Sequence, residues 1–564
     1  MAASRRPNGL GDKVGPNRQS SGQTVDLPNT RDMSGNEPRD ISPGEARSIA
    51  PGFDTGASAR TREQTSLGIE SAAFARGLKD PSVLPPLDLA AIRTILAGIM
   101  LAMFLSALEQ TIVAPALPAI GESLANLDDI SWVVTAYLLA ATAATPLFGK
   151  LTDIHGRRAI MLLAIGIFIV GSLACALAPS LWVLVAGRTL QGIGGGGLLP
   201  IAQTIIADLL TPRERPLVQS YTAVVFMSAS VLGPVLGGLL TDHLHWSFIF
   251  WINLPLGATA LVMTARALRR LPRHDRPHQL DMLGLVLMIV ASLGLLLALD
   301  WGGGRYNWNS WQIVGLITGS AVLWVLFAGR LLTAREPFIP LAILRGSVTS
   351  AITCAAFFSI GSIIGLAIFV PLYCQTVLGA SASVSGLALI AFMAGTTLGS
   401  LITGRLMVRL THYMRVPVVG IVIAIAALGF LAVDASAISL GGFTVLLGLL
   451  GAATGPMYPT STIVMQNAVK RHEMGIATGT LNFFRLLGGA IVVAVFGAIV
   501  FGGGGAHPAG KAMAAIAGYA SFAASFRLVF AVAAIFLGIA LACVLVVEER
   551  PLHGPLHSAD VGAE

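Results

Sequence analysis

The chain has 564 residues, of which 54% are hydrophobic and only 12% charged, about half the ~25% usual in soluble proteins. With a mean hydropathy of +0.76 and 63 glycines it could not cover its own surface in water, which excludes a string of soluble domains and makes lipid its main solvent. The formal charge of +7 does not mark a nucleic-acid ligand, because residues 1–92 hold 11 basic and 11 acidic residues and the whole excess falls in short loops beyond them.

Residues 1–92 are rich in Ser, Gly, Pro, Asn, Arg and Asp, with no apolar run before Leu87, and are expected to form a disordered tail. Arg5 and Arg6 lead into Pro7–Leu10, so no secretory leader is expected. The stretch from Leu67 through Phe74 to Leu78 is weakly amphipathic and reads better as linker than as a surface helix. After Arg93 come apolar runs long enough to cross a hydrocarbon core of ~30 Å as helices. They fall at 94–117, 130–149, 158–177, 181–206, 217–240, 247–268, 282–299, 311–332, 349–374, 383–408, 416–434, 438–461, 475–501 and 525–547. Fourteen spans predict an all-α polytopic membrane protein with both termini on one side.

Charge assigns that side. Loops after even-numbered spans carry Lys150, Arg157 and Arg158, then Arg213 and Arg215, then Arg266, Arg269, Arg270, Arg273 and Arg276. Later ones carry Arg335, Arg345, Arg405, Arg409, Arg415, Lys470 and Arg471. The opposite loops hold Glu122, Asp128, Asp129, Asp242 and Asp300, with Arg305 and Lys511 as their clear basic residues. The positive-inside rule then predicts cytoplasmic even loops and cytoplasmic termini. The four cysteines, Cys175, Cys354, Cys374 and Cys543, lie in apolar runs without metal-ligand spacing and read as small buried hydrophobes.

The end of span 2 has Gly149, Asp153, Gly156, Arg157 and Arg158, and the end of span 10 holds a degraded copy in Gly404, Arg405, Arg409 and His412. The copy relates spans 1–6 to spans 9–14. It predicts two six-helix bundles, 93–270 and 346–549, an insert at 271–345 with spans 7 and 8, and a short tail at 550–564. Such duplicated bundles place a transport site at their interface. Gly192 to Gly197 matches the spacing of a dinucleotide fingerprint. It lies inside a span without a preceding strand, so close helix packing is the expected role.

Other segments add detail. Glu109, Gln110 and Thr111 stand in span 1, Trp132 and Tyr137 in span 2, and Arg188, Gln191 and Gly192 in span 4. Gly233, Pro234, Gly237 and Gly238 stand in span 5, and Phe250, Trp251, Asn253 and Pro255 open span 6. Span 13 has Gly475, Gly479, Phe483, Phe484, Arg485, Gly488 and Gly489. In this order, and over about residues 94–552, the segments resemble the fourteen-spanner drug:proton antiporters of the major facilitator superfamily. The chain departs from that pattern in having Glu109 for Asp, Ser247 for Arg after Trp246, and Ala229 for Gly. The resemblance implies the major facilitator fold, with two extra linker helices, and a proton-coupled exporter of lipophilic small molecules or drugs in the cytoplasmic (inner) membrane. It also implies that the loop at Gly149–Arg158 is a conformational switch, Asp153 meeting the start of span 13 near Gly475. The span-5 glycines would seal the interface against leak.

A charge inside a membrane span is a functional hypothesis in its own right. Glu109 and Arg188 lie roughly 12 and 10 Å from the outer ends of their spans at 1.5 Å per residue, so the two can meet as the proton-coupling pair or as a static ion pair. Arg485 either binds an anionic group or satisfies carbonyls. The polar and aromatic residues Tyr137, Gln203, Phe226, Tyr373, Gln375, Gln466 and Asn482 are candidates for a substrate cavity, with core packing as the alternative. Glu109 is the one clear carboxylate deep in the spans, Asp300 and Asp434 sitting at helix ends, so neutral or monocationic lipophiles are expected over dications. The expected partners are the bilayer, a small lipophilic substrate and protons, without nucleic acid, metal or cofactor. The sequence is silent on a periplasmic adaptor. The rival functions are a same-fold proton symporter for uptake and a membrane enzyme on lipid-linked substrates. The enzyme would need a nucleophile or paired acids in a sizeable loop, and no such cluster is present.

Overall fold

Without water in the hydrocarbon, a backbone can satisfy its polar groups only as a helix or a closed barrel, and unbroken apolar runs of this length select the helix. The computed structural model describes residues 89–124, 129–270, 281–303, 305–434, 438–501 and 519–552. Within them, fourteen helices are long and apolar enough to cross a membrane. The first bundle contains α1 (Leu89–Ile112), α2 (Trp132–His155), α3 (Arg157–Ala176), α4 (Leu181–Leu209), α5 (Arg215–His243) and α6 (Asn253–Ala267). The linker pair is α7 (Met282–Trp301) and α8 (Trp311–Thr333). The second bundle contains α9 (Ser347–Thr376), α10 (Ala382–Arg409), α11 (Arg415–Asp434), α12 (Leu440–Thr454 continued by Met457–Ala468), α13 (Met474–Phe501) and α14 (Tyr519–Val546). The expected disordered tail up to residue 88, with its Leu67–Leu78 stretch, lies outside the described residues. So do Asp128, Arg273, Arg276, Lys511 and the tail beyond Leu552.

Each predicted span has its helix, and the differences have local causes. Beyond Ile112 the first span turns through Ala114–Ala116 and restarts as Leu117–Ser123, because Pro115 and Pro118 each lack an amide donor. Gly455 and Pro456 divide α12 for the same reason. Its second piece runs past the predicted end at 461 to Ala468, since Gln466 is buried against protein.

The packing repeats with an offset of eight helices. α4 lies against α2 and α3 as α12 lies against α10 and α11, and α1 lies against α5 and α6 as α9 lies against α13 and α14. The bundles meet along two seams, α2 with α13 and α5 with α10, while α7 pairs with α8 and reaches both α2 and α13. Small residues permit the closest crossings. A Cβ at Gly196 would strike the Ala141 carbonyl of α2, and one at Gly194 would come 2.5 Å from the Phe168 nitrogen of α3. Gly451 and Gly455 of α12 press likewise on the Phe392 and Thr396 carbonyls of α10. The glycine run of α4 is thus a two-sided packing surface.

This packing predicts a contrast between two substitutions of the same kind. Gly196→Ala should lower the unfolding temperature of the detergent-solubilised protein by an amount matching about 1–3 kcal/mol of overpacking. Gly166→Ala, in α3 with nothing near its Cβ position, should leave it unchanged or slightly raised. Thermal unfolding of the two variants side by side checks this.

Candidate functional site

Helix α1 carries Glu109 into the first bundle, where the carboxylate is 0% exposed and pairs with Arg188 of α4, itself 1% exposed. A buried charge survives only with its remaining bonds filled, and here they are. Asn253 Nδ2 of α6 donates to Glu109 Oε2 at 2.5 Å. Arg188 donates through Nε to the Val133 carbonyl at 2.8 Å and through Nη1 to Gln191 Oε1 at 2.7 Å. Gln191 in turn donates to Ser172 Oγ of α3 at 2.8 Å. The Tyr137 ring lies 4.4 Å from the guanidinium, a cation–π distance, and its hydroxyl donates to the Ser106 carbonyl at 3.4 Å. Five helices thus converge on one ion pair. Sequence reasoning paired Glu109 with Arg188 but gave no role to Asn253 or Gln191. The signals were present in Asn253 at the mouth of span 6 and Gln191 one turn after Arg188.

At the arginine-rich end of the molecule, α2 and α13 cross so closely that a Cβ on Gly149 would lie 2.5 Å from the Gly475 carbonyl oxygen. Asp153 closes the crossing, its two oxygens accepting from the backbone amides of Gly475 at 3.0 Å and Ile476 at 2.8 Å, the first turn of α13. Such a helix start offers free N–H groups and a favourable dipole to a carboxylate. Arg157 donates to Asp153 at 2.7 Å, to the Thr152 carbonyl at 2.6 Å and to Asp208 at 2.9 Å, and Arg471 approaches Asp208 at 3.6 Å. Gly156 makes the turn between α2 and α3 at φ +83°, a conformation that side chains disfavour. Arg158 is half-buried, with its Nε unpartnered. In the repeat, Gly404 of α10 meets Pro216 and Ser220 of α5, but Val408 stands where Asp153 would be. Only its carbonyl serves, accepting from Arg213 at 3.4 Å.

Gly233 and Gly237 of α5 face α1, where added Cβ atoms would strike Thr111 and the Ile112 carbonyl, and the Thr111 hydroxyl donates to the Ala229 carbonyl at 3.0 Å. Gly238 has open space beside it, and α5 continues through Pro234. Gln203, Gln466 and Asn482 form a seal between the bundles. Asn482 Nδ2 donates to Gln203 Oε1 at 2.7 Å, and Gln466 Nε2 donates to the Gln203 carbonyl at 3.2 Å. Arg485 satisfies neutral oxygens, namely Asn482 Oδ1 at 3.0 Å, the Tyr458 carbonyl at 3.0 Å, Ser461 Oγ at 2.6 Å and Thr462 Oγ1 at 2.8 Å. Tyr373 is enclosed by Phe443, Phe526 and Phe530, Phe226 packs on the core around Leu108, and Gln375 is exposed near the end of α9.

None of these cavity candidates lines the cavity of about 600 Å³ that opens between the bundles. Its walls are Leu138, Leu139 and Thr142 of α2, Ile364, Ile368 and Phe369 of α9, and residues from Leu486 to Phe501 of α13. Gln110 of α1 and Thr135 of α2 add polar groups, while Leu296, Leu299 and Asp300 of α7 close one side. All lie in the half of the molecule away from the arginine-rich end. Glu109 is not among the lining residues, and the carboxylate that lines the cavity is Asp300, a residue that its place at a helix end marks as less informative in the sequence. Depth along a span does not reveal which way its last turn points.

The sequence model of the Major Facilitator Superfamily matches residues 99–493. Multidrug transporter protein MdtP of Bacillus subtilis (strain 168) is 34% identical over 409 residues, covering 72% of this chain and 75% of its own. Multidrug resistance protein 3 of the same strain is 33% identical over 412 residues, 73% of this chain and 80% of its own. Efflux pump aunC of Aspergillus niger is 32% identical over 405 residues, 71% and 77% of the two chains. Among solved structures, the human organic anion transporter MFSD10 (TETRAN) shares the fold with a TM-score of 0.57 at 17% identity, over 81% of this chain and 99% of that one.

The crossing of α2 and α13 predicts how its carboxylate acts. Asp153→Asn should loosen the arginine-rich half, at a cost of about 1–3 kcal/mol for the weakened amide contacts. In a background without the four native cysteines, a Gln466→Cys probe should then react with a maleimide several-fold faster than it does beside Asp153. Unchanged labelling would show that the seam holds without the carboxylate.

Proposed function

The chain belongs to the major facilitator superfamily and is a multi-pass efflux transporter rather than an enzyme, and we propose that it expels lipophilic small molecules in exchange for protons. The observation that carries the proton reading is Glu109, a carboxylate shut away from water, held by one arginine and one amide, and adjacent in sequence to Gln110 in the cavity wall. With both groups charged, the pair is neutral and locks α1 to α4 and α6. A proton on Glu109 removes the negative charge and leaves Arg188 with the Val133 carbonyl and Gln191. That frees α1, which docks on α5 at Gly233 and Gly237. α5 in turn meets α10 of the other bundle, at Gly404 and where Thr397 donates to the Ala223 carbonyl at 3.4 Å. A local charge change is thereby felt at a seam between bundles, as alternating access requires.

We place the arginine-rich loops and both termini in the cytoplasm and the protein in the cytoplasmic membrane, by the positive-inside rule. On that orientation, the Asp153 contact and the Gln203–Asn482–Gln466 seal close the inner half, and the cavity belongs to the outer half. This is the state in which an exporter releases its cargo and takes up a proton. The apolar walls favour lipophilic cargo.

Everted vesicles with an acidified lumen and a pH-sensitive dye test the reading. Adding a lipophilic substrate should release lumenal protons in vesicles carrying the wild-type chain. Glu109→Gln keeps the shape but cannot titrate, and should reduce that release to the level of empty vesicles while the protein stays in the membrane. Arg188→Ala should be nearly as damaging. Full substrate-stimulated proton release in Glu109→Gln would leave the pair a static ion bridge.

A further inference from the structure

We propose that Asp300 is the charge-selecting residue of the cavity, so that helix α7 takes part in substrate recognition and the favoured cargo is a lipophilic compound bearing one positive charge. This rests on the reading that the cavity carries the exported molecule. Among the residues that line it, Asp300 is the single ionisable one. Its side chain is exposed into the cavity and accepts from the Thr135 hydroxyl at 3.3 and 3.4 Å, and no basic side chain among the described residues pairs with it. A carboxylate facing apolar walls without a counter-charge favours a cation that brings its own apolar surface.

The position of Asp300 is fixed from two sides. Trp301, the next residue, packs edge-on against Trp132 of α2 at 5.9 Å, and Leu296 one turn earlier packs with Phe483 and Leu487 of α13. α7 therefore bridges both bundles at the height of the cavity. The chain then turns beside the cavity, which Gly302, Gly303, Asn307 and Trp308 line. Gly303 turns at φ +76° and its amide donates to the Tyr306 carbonyl at 2.8 Å. Trp308 lies so close over Gly302 and Gly303 that an added Cβ would come within 2.7–2.8 Å of its ring. Trp308 and Asn307 both line the cavity, and an indole face there suits a quaternary cation. Arg305, the basic group of this loop, is engaged with Asp129 at 3.3 Å and with the Trp301 ring, so it does not compensate Asp300.

Glu109 cannot supply this recognition, being wholly buried and committed to Arg188 and Asn253. A cavity of about 600 Å³ accommodates a drug-sized molecule, and one carboxylate balances one charge. The expected preference for monocations over dications therefore stands on Asp300.

The test uses the full chain in nanodiscs, with tetraphenylphosphonium as a monovalent probe, and in cells with export of calcein acetoxymethyl ester as a neutral one. Asp300→Asn should raise the tetraphenylphosphonium Kd on the order of tenfold. The same variant should unfold at the wild-type temperature, showing a folded transporter. Asp300→Glu should bind the cation nearly as the wild type does. An unchanged Kd in Asp300→Asn, or a loss of cation binding in Asp300→Glu as large as in Asp300→Asn, would overturn the proposal. Wild-type protein that exports the ester but does not bind the cation would overturn it too, while leaving the efflux reading standing. Failure of the wild type in both assays would remove both.

Discussion

A guanidinium and a carboxylate sealed from water inside the first bundle set the terms for their surroundings. Each ion alone would cost several kcal/mol in such a place, and their mutual attraction offsets that only when every remaining donor and acceptor is filled. The sequence around them is explained by that requirement. Asn253 fills the second carboxylate oxygen, the Val133 carbonyl and Gln191 fill the guanidinium, and Tyr137 covers its face. Tyr137 in turn needs space behind it, since a Cβ at Gly195 would stand 2.6 Å from its hydroxyl. A glycine run that resembles a cofactor loop is in part a consequence of the salt bridge made by Arg188 one to two turns earlier in the same helix.

The two bundles share one plan of helix contacts but not one distribution of charge. The first contains the titratable pair and the Asp153 contact. The second has no acid to match Glu109 in α9, and its copy of the Gly149–Arg158 loop has Val408 where a carboxylate would stand. Both seams cross at the arginine-rich end through glycines, so both can close tightly, yet only one is fastened by a side chain that accepts two amide protons. The linker adds a further asymmetry by lying along the α2–α13 seam and adding Asp300 to the cavity. A symmetric scaffold is in this way given a preferred direction of response.

The spans were legible because lipid tolerates few alternatives to a long apolar helix, and the internal repeat was legible because its loop kept glycines and arginines in place. Glu109 and Arg188 could be paired because each is expensive alone at similar depth. Asp153 could be directed to Gly475 only through family resemblance, since the two lie over 300 residues apart. The role of Asn253 was not legible because a neutral amide at the mouth of a span does not by itself indicate which buried charge it serves. The cavity was the least legible feature. Its walls are mostly Leu, Ile, Phe, Ala and Gly residues from helices far apart in sequence, and nothing in the identity of these separates them from residues that face lipid. Of the polar and aromatic candidates, Gln203 bonds Asn482 and Tyr373 sits among phenylalanines, while Gln375 is exposed near a helix end.

Arg485 has a consequence of a different kind. Four neutral oxygens surround its guanidinium, and no carboxylate among the described residues pairs with it, so the second bundle holds a standing positive charge about midway along α13. A charge moved across a full membrane potential does work of about 2.3 kcal/mol per 100 mV, and a partial displacement does a proportional share. On the proposed exchange of a proton at Glu109, the first bundle alternates between neutral and positive, whereas the second stays positive throughout. An interior-negative voltage therefore pulls steadily on one half of the molecule and only intermittently on the other. On the proposed mechanism, the electrical field across the membrane, and not the proton gradient alone, biases which way the bundles rock.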